Sequence, residues 1–161
     1  MSLFENKNAS GHRWKLYVDG ASRNNPGLSG AGVYLIKDDT EVVKQGFFLG
    51  KKTNNQAEYM ALLLGVYFAH RHMKAGDTII IYADSELLIK QMRGEYRVKN
   101  LELKQLYDCI KQRLTQLNYT LRHVMRENNT VADKLANLGI DKRLPLPFEI
   151  REICPTDEEV S

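Results

Sequence analysis

Three acidic residues lie at positions where a soluble chain normally avoids charge. Asp19 follows the strand-like run 14–18, Asp84 follows the apolar run 79–83, and Glu58 lies on the apolar face of a predicted helix. An ionised carboxylate near apolar surroundings is costly unless it is paired or bound to a metal ion. The three acids together therefore predict a divalent-cation site. Because its ligands would all be oxygen atoms, the site favours magnesium or manganese over zinc.

Two of these acids are expected at one edge of a sheet. Asp19 and Asp84 both follow strands, and ligands of open α/β sheets bind outside the carboxyl ends of the strands. Two carboxylates about 4 Å apart repel each other by about 1 kcal/mol even in bulk water. If the two strands are neighbours, the acids converge and require positive charge beside them.

Asp133 is a fourth candidate for this site. It lies in the first turns of the last predicted helix, on the same side as Ala136 and Ile140, so it is expected to face inward. Taken alone, an acid in that position can simply complement the helix dipole. The presence of the other three acids favours a shared site.

The periodicity of the chain predicts the elements that position these acids. Strands are expected at 14–18, 30–36, 41–49, 78–83 and 119–124, and helices from the caps at 53–55 to about 73 and at 85–92, 100–117 and 130–138. The resulting order is βββαβααβα. A flexible N-terminal segment is expected at 1–13, one domain at 14–140 and a C-terminal tail at 141–161, where Pro145 and Pro147 mark the change.

Composition limits the classes of protein to which the chain can belong. The 161 residues, 43% hydrophobic and 27% charged, suit one globular domain, and the net charge of +3 permits nucleic-acid binding. Cys109 and Cys154 lack metal-ligand spacing and no secretory signal is recognisable, which predicts a reducing, cytoplasmic location. The longest apolar stretch, 61–69, is about half the roughly 20 residues that span a bilayer, so no membrane segment is expected.

Five short strings resemble, in order and spacing, the motifs of type 1 ribonuclease H, and the match extends over about 14–139. The strings are Tyr17-Val18-Asp19-Gly20, Asn25-Pro26-Gly27, Thr53-Asn54-Asn55 with Glu58, Ala83-Asp84-Ser85, and Ala132-Asp133-Lys134-Leu135-Ala136. The resemblance implies the α/β ribonuclease H-like fold, a five-stranded mixed sheet with three antiparallel strands followed by two parallel ones, flanked by helices.

The resemblance also implies an activity and its cofactors. The expected reaction is hydrolysis of the RNA strand of an RNA/DNA hybrid with two magnesium ions, for which manganese is a possible substitute. The catalytic and metal-binding carboxylates would be Asp19, Glu58, Asp84 and Asp133. By the same similarity Asp19 would bridge both ions, with Glu58 and Asp84 on one side and Asp133 on the other.

Several polar residues are expected to contact the substrate by the same resemblance. The turn with Ser22, Asn24 and Asn25 would face RNA 2′-hydroxyls, although such a turn can also be a generic loop. Thr53, Asn55 and Ser85 would lie against the DNA strand, and the first two compete as helix caps. Arg126 is a candidate contact for the departing phosphate.

Two departures from many bacterial members are visible in the sequence. Residues 94–99 run directly into the next helix where those members carry a basic protrusion, the handle, so weaker hybrid binding or help from Arg97, Lys99 and Lys104 is expected. No histidine matches the loop histidine that precedes the last acid in the family; His123 is expected to be packed or hydrogen-bonded in a strand.

Two alternatives remain open at this point. A related nuclease that also cleaves RNA/RNA duplexes would read the same shape and 2′-hydroxyls. A non-catalytic module that binds RNA/DNA hybrids would need a decayed acidic site, and all four acids argue against decay. A monomer is the default expectation.

Overall fold

A computed structural model describes residues 11–153 of the chain, and side chains to residue 150. The flexible segment expected at 1–13 therefore lies almost wholly outside the described residues. The elements are β1 (Arg13–Ser22), β2 (Gly27–Lys37), β3 (Thr40–Lys52), α1 (Asn54–His72), β4 (Thr78–Ala83), α2 (Glu86–Met92), α3 (Leu101–Leu114), β5 (Tyr119–His123), a 3₁₀ turn (Arg126–Asn128), α4 (Thr130–Lys142) and α5 (Phe148–Ile153).

The five strands form one mixed sheet in the order β3-β2-β1-β4-β5. β1 pairs antiparallel with β2, β2 pairs antiparallel with β3, and β1, β4 and β5 run parallel. This arrangement confirms the predicted fold class. The last parallel pair joins Val18 to Ala83, so the next residues, Asp19 and Asp84, emerge side by side where β1 and β4 part.

The first strand is longer than the sequence predicts. Its pairing with β4 stops at Val18, but its antiparallel pairing with β2 continues to the pair Ser22 and Ser29. Asp19 therefore lies inside β1 and does not end it. The extension depends on hydrogen bonds to β2, which local periodicity does not reveal.

One face of the sheet is covered by α1, and α1 is in turn covered by α3. Alternate residues of β1, among them Leu16 and Val18, are buried, and a Cβ on Gly65 of α1 would contact both. Eleven of the nineteen α1 residues are buried. The apolar face predicted on this helix is buried, and a second layer of helix buries much of its outer side as well.

The opposite face of the sheet is covered by α4, which lies directly on strand backbone. A Cβ on Gly32 would lie 2.1 Å from the carbonyl oxygen of Ala132, and one on Gly46 would lie 2.0 Å from that of Leu135. Glycine at these positions lets the helix approach more closely than any side chain would permit. The close approach sets the depth at which the first turn of α4, with Asp133, reaches the sheet edge.

The packed part of the chain continues past residue 140. The amide of Phe48 in β3 donates to the carbonyl of Leu144 at 2.7 Å, and Ile150 of α5 is 3% exposed. The first part of the predicted tail thus packs on the domain, and its remainder lies outside the described residues. None of the helices within residues 11–153 combines the length and apolarity that crossing a membrane requires.

Candidate active site

Three carboxylates meet at the edge of the sheet. Asp19 comes from β1, Glu58 from the first turns of α1 and Asp84 from the residue after β4, and one oxygen of each lies within 4.8 Å of the others. Asp133, from the first turn of α4, lines the same pocket. All four predicted acids therefore lie around one open pocket, three of them close enough to share a cation.

The first turns of α1 are held against β1 at Gly20, beside Asp19. The backbone N–H of Gly20 donates to Oε1 of Glu58. A Cβ on Gly20 would lie 2.2 Å from the carbonyl carbon of Ala57 and 2.4 Å from the amide nitrogen of Glu58. A glycine after Asp19 is therefore needed for the close approach that brings Glu58 to the cluster.

Burial and mutual repulsion disfavour negative charge in this cluster. Asp19 is 7% exposed, and its pKa is raised first by burial and then by the carboxylates of Glu58 and Asp84 and, least, by Asp133. Burial also raises the pKa of Glu58, opposed in part by the Gly20 N–H and by the positive charge of Arg126. Without a cation, the folded protein relieves the repulsion by binding protons.

These properties fit divalent metal ions with oxygen ligands. The acidic cluster of Asp19, Glu58 and Asp84 contains no histidine or cysteine, and hard cations such as Mg²⁺ and Mn²⁺ prefer carboxylate oxygens. A bound cation would supply the positive charge that the raised pKa of Asp19 shows to be missing.

The chain is similar to proteins of one known family. A family model described as reverse transcriptase-like matches residues 17–139. Ribonuclease HI of Halobacterium salinarum is 36% identical over 133 residues, which cover 81% of this chain and 66% of that protein. Ribonuclease H of Bordetella avium is 32% identical over 143 residues, covering 78% of this chain and 89% of the relative. The chain belongs to the type 1 ribonuclease H family.

Solved structures of the family superpose on the fold. RNase H1 from Halobacterium salinarum gives a TM-score of 0.76 at 36% identity, covering 81% of this chain and 98% of that one. LC11-RNase H1 in complex with RNA/DNA hybrid gives a TM-score of 0.72 at 32% identity, covering 80% and 97%. The acidic cluster accordingly has the character of a metal-dependent ribonuclease H active site.

Of the three turn residues predicted to contact RNA, only Ser22 lines the pocket; Asn24 and Asn25 do not. Ser22 donates its hydroxyl to the carbonyl of Lys52 at 2.8 Å. Asn24 has a φ of 75°, the left-handed conformation that asparagine tolerates. Oδ1 of Asn25 accepts a hydrogen bond from the backbone N–H of Asn54 at 2.8 Å, which connects the turn to the start of α1.

Some of the residues predicted to lie along the DNA strand cap a helix, and some line the acidic pocket. Thr53 caps α1 through a capping box with Gln56, and Ser85 caps α2 by accepting from the amide of Leu88 at 3.2 Å. Ser85 also lines the pocket, as does Asn55, whereas Thr53 does not. Arg126, in the 3₁₀ turn, lines the pocket and is exposed.

Two further residues lie next to the acids. Asn129 directly precedes α4 but makes no capping hydrogen bond; it is buried, and its Nδ2 donates to Asp84. His123 ends β5 with an exposed side chain, and its Nε2 lies 3.2 Å from the carbonyl oxygen of Asp84. An asparagine before a helix is typical of a cap, so sequence alone gave no signal for the inward position.

The connection that replaces the basic handle is short. Residues 93–100 join α2 to α3 without a helix or strand of their own. Tyr96 in this connection is 51% exposed, with the Lys90 ammonium 4.9 Å from its ring centroid. Arg97 and Lys99 are exposed in this connection. Lys104 is also exposed, and its ammonium pairs with Oδ1 of Asp108 at 2.6 Å.

Proposed function

We propose that this protein is a metal-dependent endoribonuclease that hydrolyses the RNA strand of RNA/DNA hybrids. The observation that carries the proposal is the convergence of Asp19, Glu58 and Asp84 within 4.8 Å at the sheet edge, with Asp133 lining the same pocket of a ribonuclease H fold. The Halobacterium relative is named as ribonuclease HI, and LC11-RNase H1 is known in complex with RNA/DNA hybrid. The chain spans 66% of the Halobacterium protein, so its activity is carried over as a proposal.

The proposed cofactors are two magnesium ions, with manganese as a substitute. The ions would be held by the four carboxylates that line one pocket, Asp19, Glu58, Asp84 and Asp133. The raised pKa of Asp19 indicates that the protein alone does not neutralise the negative charge there. When bound, such ions lower the pKa of water and stabilise both oxygens of an in-line displacement at phosphorus. The carboxylates must be ionised to serve as ligands, so binding competes with the protons that the cluster attracts.

The chain's own residues hold this arrangement before substrate arrives. The Gly20 N–H fixes Glu58, and β1 and β4 fix the spacing between Asp19 and Asp84. The positive charge of Arg126 favours the ionised form of Glu58. Arg126 also provides a positive group in the open part of the pocket, where it would contact a phosphate of the cleaved strand.

The proposed substrate contacts follow from which polar atoms remain free to bind. The hydroxyl hydrogen of Ser22 is donated to Lys52, so its oxygen remains to accept a hydrogen bond from a 2′-hydroxyl. The side-chain oxygen of Asn25 is taken by Asn54, so its amide hydrogens remain to donate. Asn24 lies in the same turn. Thr53, Asn55 and Ser85 lie at the starts of α1 and α2, where they would contact the DNA strand.

Cleavage of RNA/RNA duplexes is the second candidate activity, because the short connection 93–100 offers little extra surface to recognise a DNA strand. A panel of labelled RNA/DNA, RNA/RNA and DNA/DNA duplexes with Mg²⁺, Mn²⁺ or EDTA tests both candidates. Cleavage of the RNA strand in RNA/DNA only, abolished by EDTA, is expected. Cleavage that persists in EDTA, or of DNA/DNA alone, would contradict the proposal. The monomeric state and the cytoplasmic location stay predictions.

A further inference from the structure

Asn129 contacts three separate parts of the acidic site. It precedes α4 and is 1% exposed. Its Nδ2 donates to the carbonyl oxygen of Val18 at 3.0 Å and to Oδ2 of Asp84 at 3.1 Å. The backbone carbonyl oxygen of Asn129 accepts a hydrogen bond from the backbone N–H of Asp133 at 3.1 Å. One residue thus touches the neighbour of Asp19 in β1, one acid directly, and the backbone of a second acid.

The chemistry of the two neighbours fixes the orientation of the Asn129 amide. The Val18 carbonyl and the Asp84 carboxylate are both acceptors, so only the NH₂ group can face them, and both of its hydrogens are used. Oδ1 consequently points elsewhere and, within residues 11–153, is the one buried side-chain oxygen or nitrogen without a hydrogen-bond partner in the protein. Such an unsatisfied buried atom is unfavourable for folding and calls for a functional explanation.

We propose that Asn129 is a positioning residue that fixes the Asp84 carboxylate and the start of α4 relative to β1. The inference rests on the proposed metal-dependent function of the same site. A hydrogen bond to Oδ2 restricts rotation of the Asp84 side chain and leaves its second oxygen for the cluster. Partners of this kind hold metal ligands in one orientation before the ion binds.

No other small side chain can make both contacts. Serine has a single donor hydrogen, alanine has none, and an ionised aspartate would add negative charge beside Asp84. The native Asn129, Asn129→Ser and Asn129→Ala therefore form a series with two, one and no side-chain donor hydrogens. Asn128→Ala is the matched control, because Asn128 is the adjacent asparagine and is exposed.

The first test is calorimetric titration of the metal-free proteins with Mn²⁺ alone, which needs no catalysis. Loss of a hydrogen-bonding partner of a metal ligand typically weakens metal affinity by about 10–100-fold, so Asn129→Ala should fall in that range and Asn129→Ser between it and wild type. Asn128→Ala should bind as wild type does. Equal Mn²⁺ affinity of folded Asn129→Ala and wild type would overturn the proposal.

The second test separates positioning from stability. For Asn129→Ala, kcat on RNA/DNA hybrid at fixed Mg²⁺ should fall while KM for hybrid stays unchanged, and higher Mg²⁺ should restore part of kcat. A purely structural role predicts a lower melting temperature with unchanged metal affinity, which contradicts the proposal, as would failure of both variants to fold. If wild type cleaves no hybrid, the proposed function fails, yet the Mn²⁺ comparison still decides the role of Asn129.

Discussion

Replacing Asp19 with asparagine should stabilise the metal-free protein at neutral pH, although it removes a proposed metal ligand. The pKa of Asp19 is raised in the folded state, chiefly by burial and by Glu58. The folded chain therefore binds more protons than the unfolded chain between the unfolded pKa, about 4, and the raised folded pKa. In that interval the contribution of Asp19 to stability falls as pH rises. Asparagine carries no charge and escapes this loss.

The size of the effect follows from the spacing of the cluster. Oxygens of Asp19, Glu58 and Asp84 lie within 4.8 Å of one another, and at an effective dielectric constant of about 20 two charges at such a distance repel by roughly 3.5 kcal/mol. Proton binding and water in the open pocket relieve part of this repulsion. We expect a gain of about 2 kcal/mol for Asp19→Asn, or about 4–8 °C in melting temperature for a chain of this size.

Thermal unfolding in EDTA, followed by circular dichroism between about pH 4 and pH 8, measures this gain. The difference between Asp19→Asn and wild type should be largest at the alkaline end and become small near pH 4, below which both the folded and the unfolded state protonate Asp19. Asp39→Asn, in an exposed turn, is the control and should show no such trend. Added Mg²⁺ should stabilise wild type more than Asp19→Asn. A variant that is less stable than wild type at pH 8 in EDTA would refute the reasoning.

Three further changes test the local structure. Gly32→Ala should lower the free energy of unfolding by about 1–3 kcal/mol, since its Cβ would lie 2.1 Å from the Ala132 carbonyl oxygen; urea denaturation should show a lower midpoint. Thr53→Ala removes the capping-box hydroxyl of α1 and should cost about 1 kcal/mol, visible as a lower melting temperature. Arg126→Ala removes the charge that lowers the pKa of Glu58, so the acidic limb of the pH–rate profile should move to higher pH. If the acidic limb does not move, Arg126 does not lower the pKa of Glu58.

The acids and most elements were predictable because their signals are local. Asp19 and Asp84 each follow apolar runs, and the motifs around them occur in family order. Their convergence was predicted on the condition that the two strands are neighbours, and β1 and β4 do pair. The position of Glu58 was predicted from the apolar face of α1. The sequence did not show that most of α1 is buried or that the Gly20 N–H donates to Glu58.

The remaining features depend on contacts between distant segments. β1 continues past Asp19 only because β2 pairs with it. Asn129 turns inward because two acceptors, from β1 and from the residue after β4, face it there. Ile150 is buried, although the two prolines before it predict a C-terminal tail. In each case the deciding partner belongs to another element of the fold, and periodicity and capping rules do not include such partners.

The most direct test of the shared acidic site is the single-turnover cleavage rate of a labelled RNA strand in an RNA/DNA hybrid, for wild type and Asp84→Asn in Mg²⁺. Asp39→Asn, in the exposed turn between β2 and β3, is the control. The account predicts wild-type cleavage, an unchanged rate for the control and loss of cleavage for Asp84→Asn. Hybrid cleavage by Asp84→Asn at the wild-type rate would contradict it.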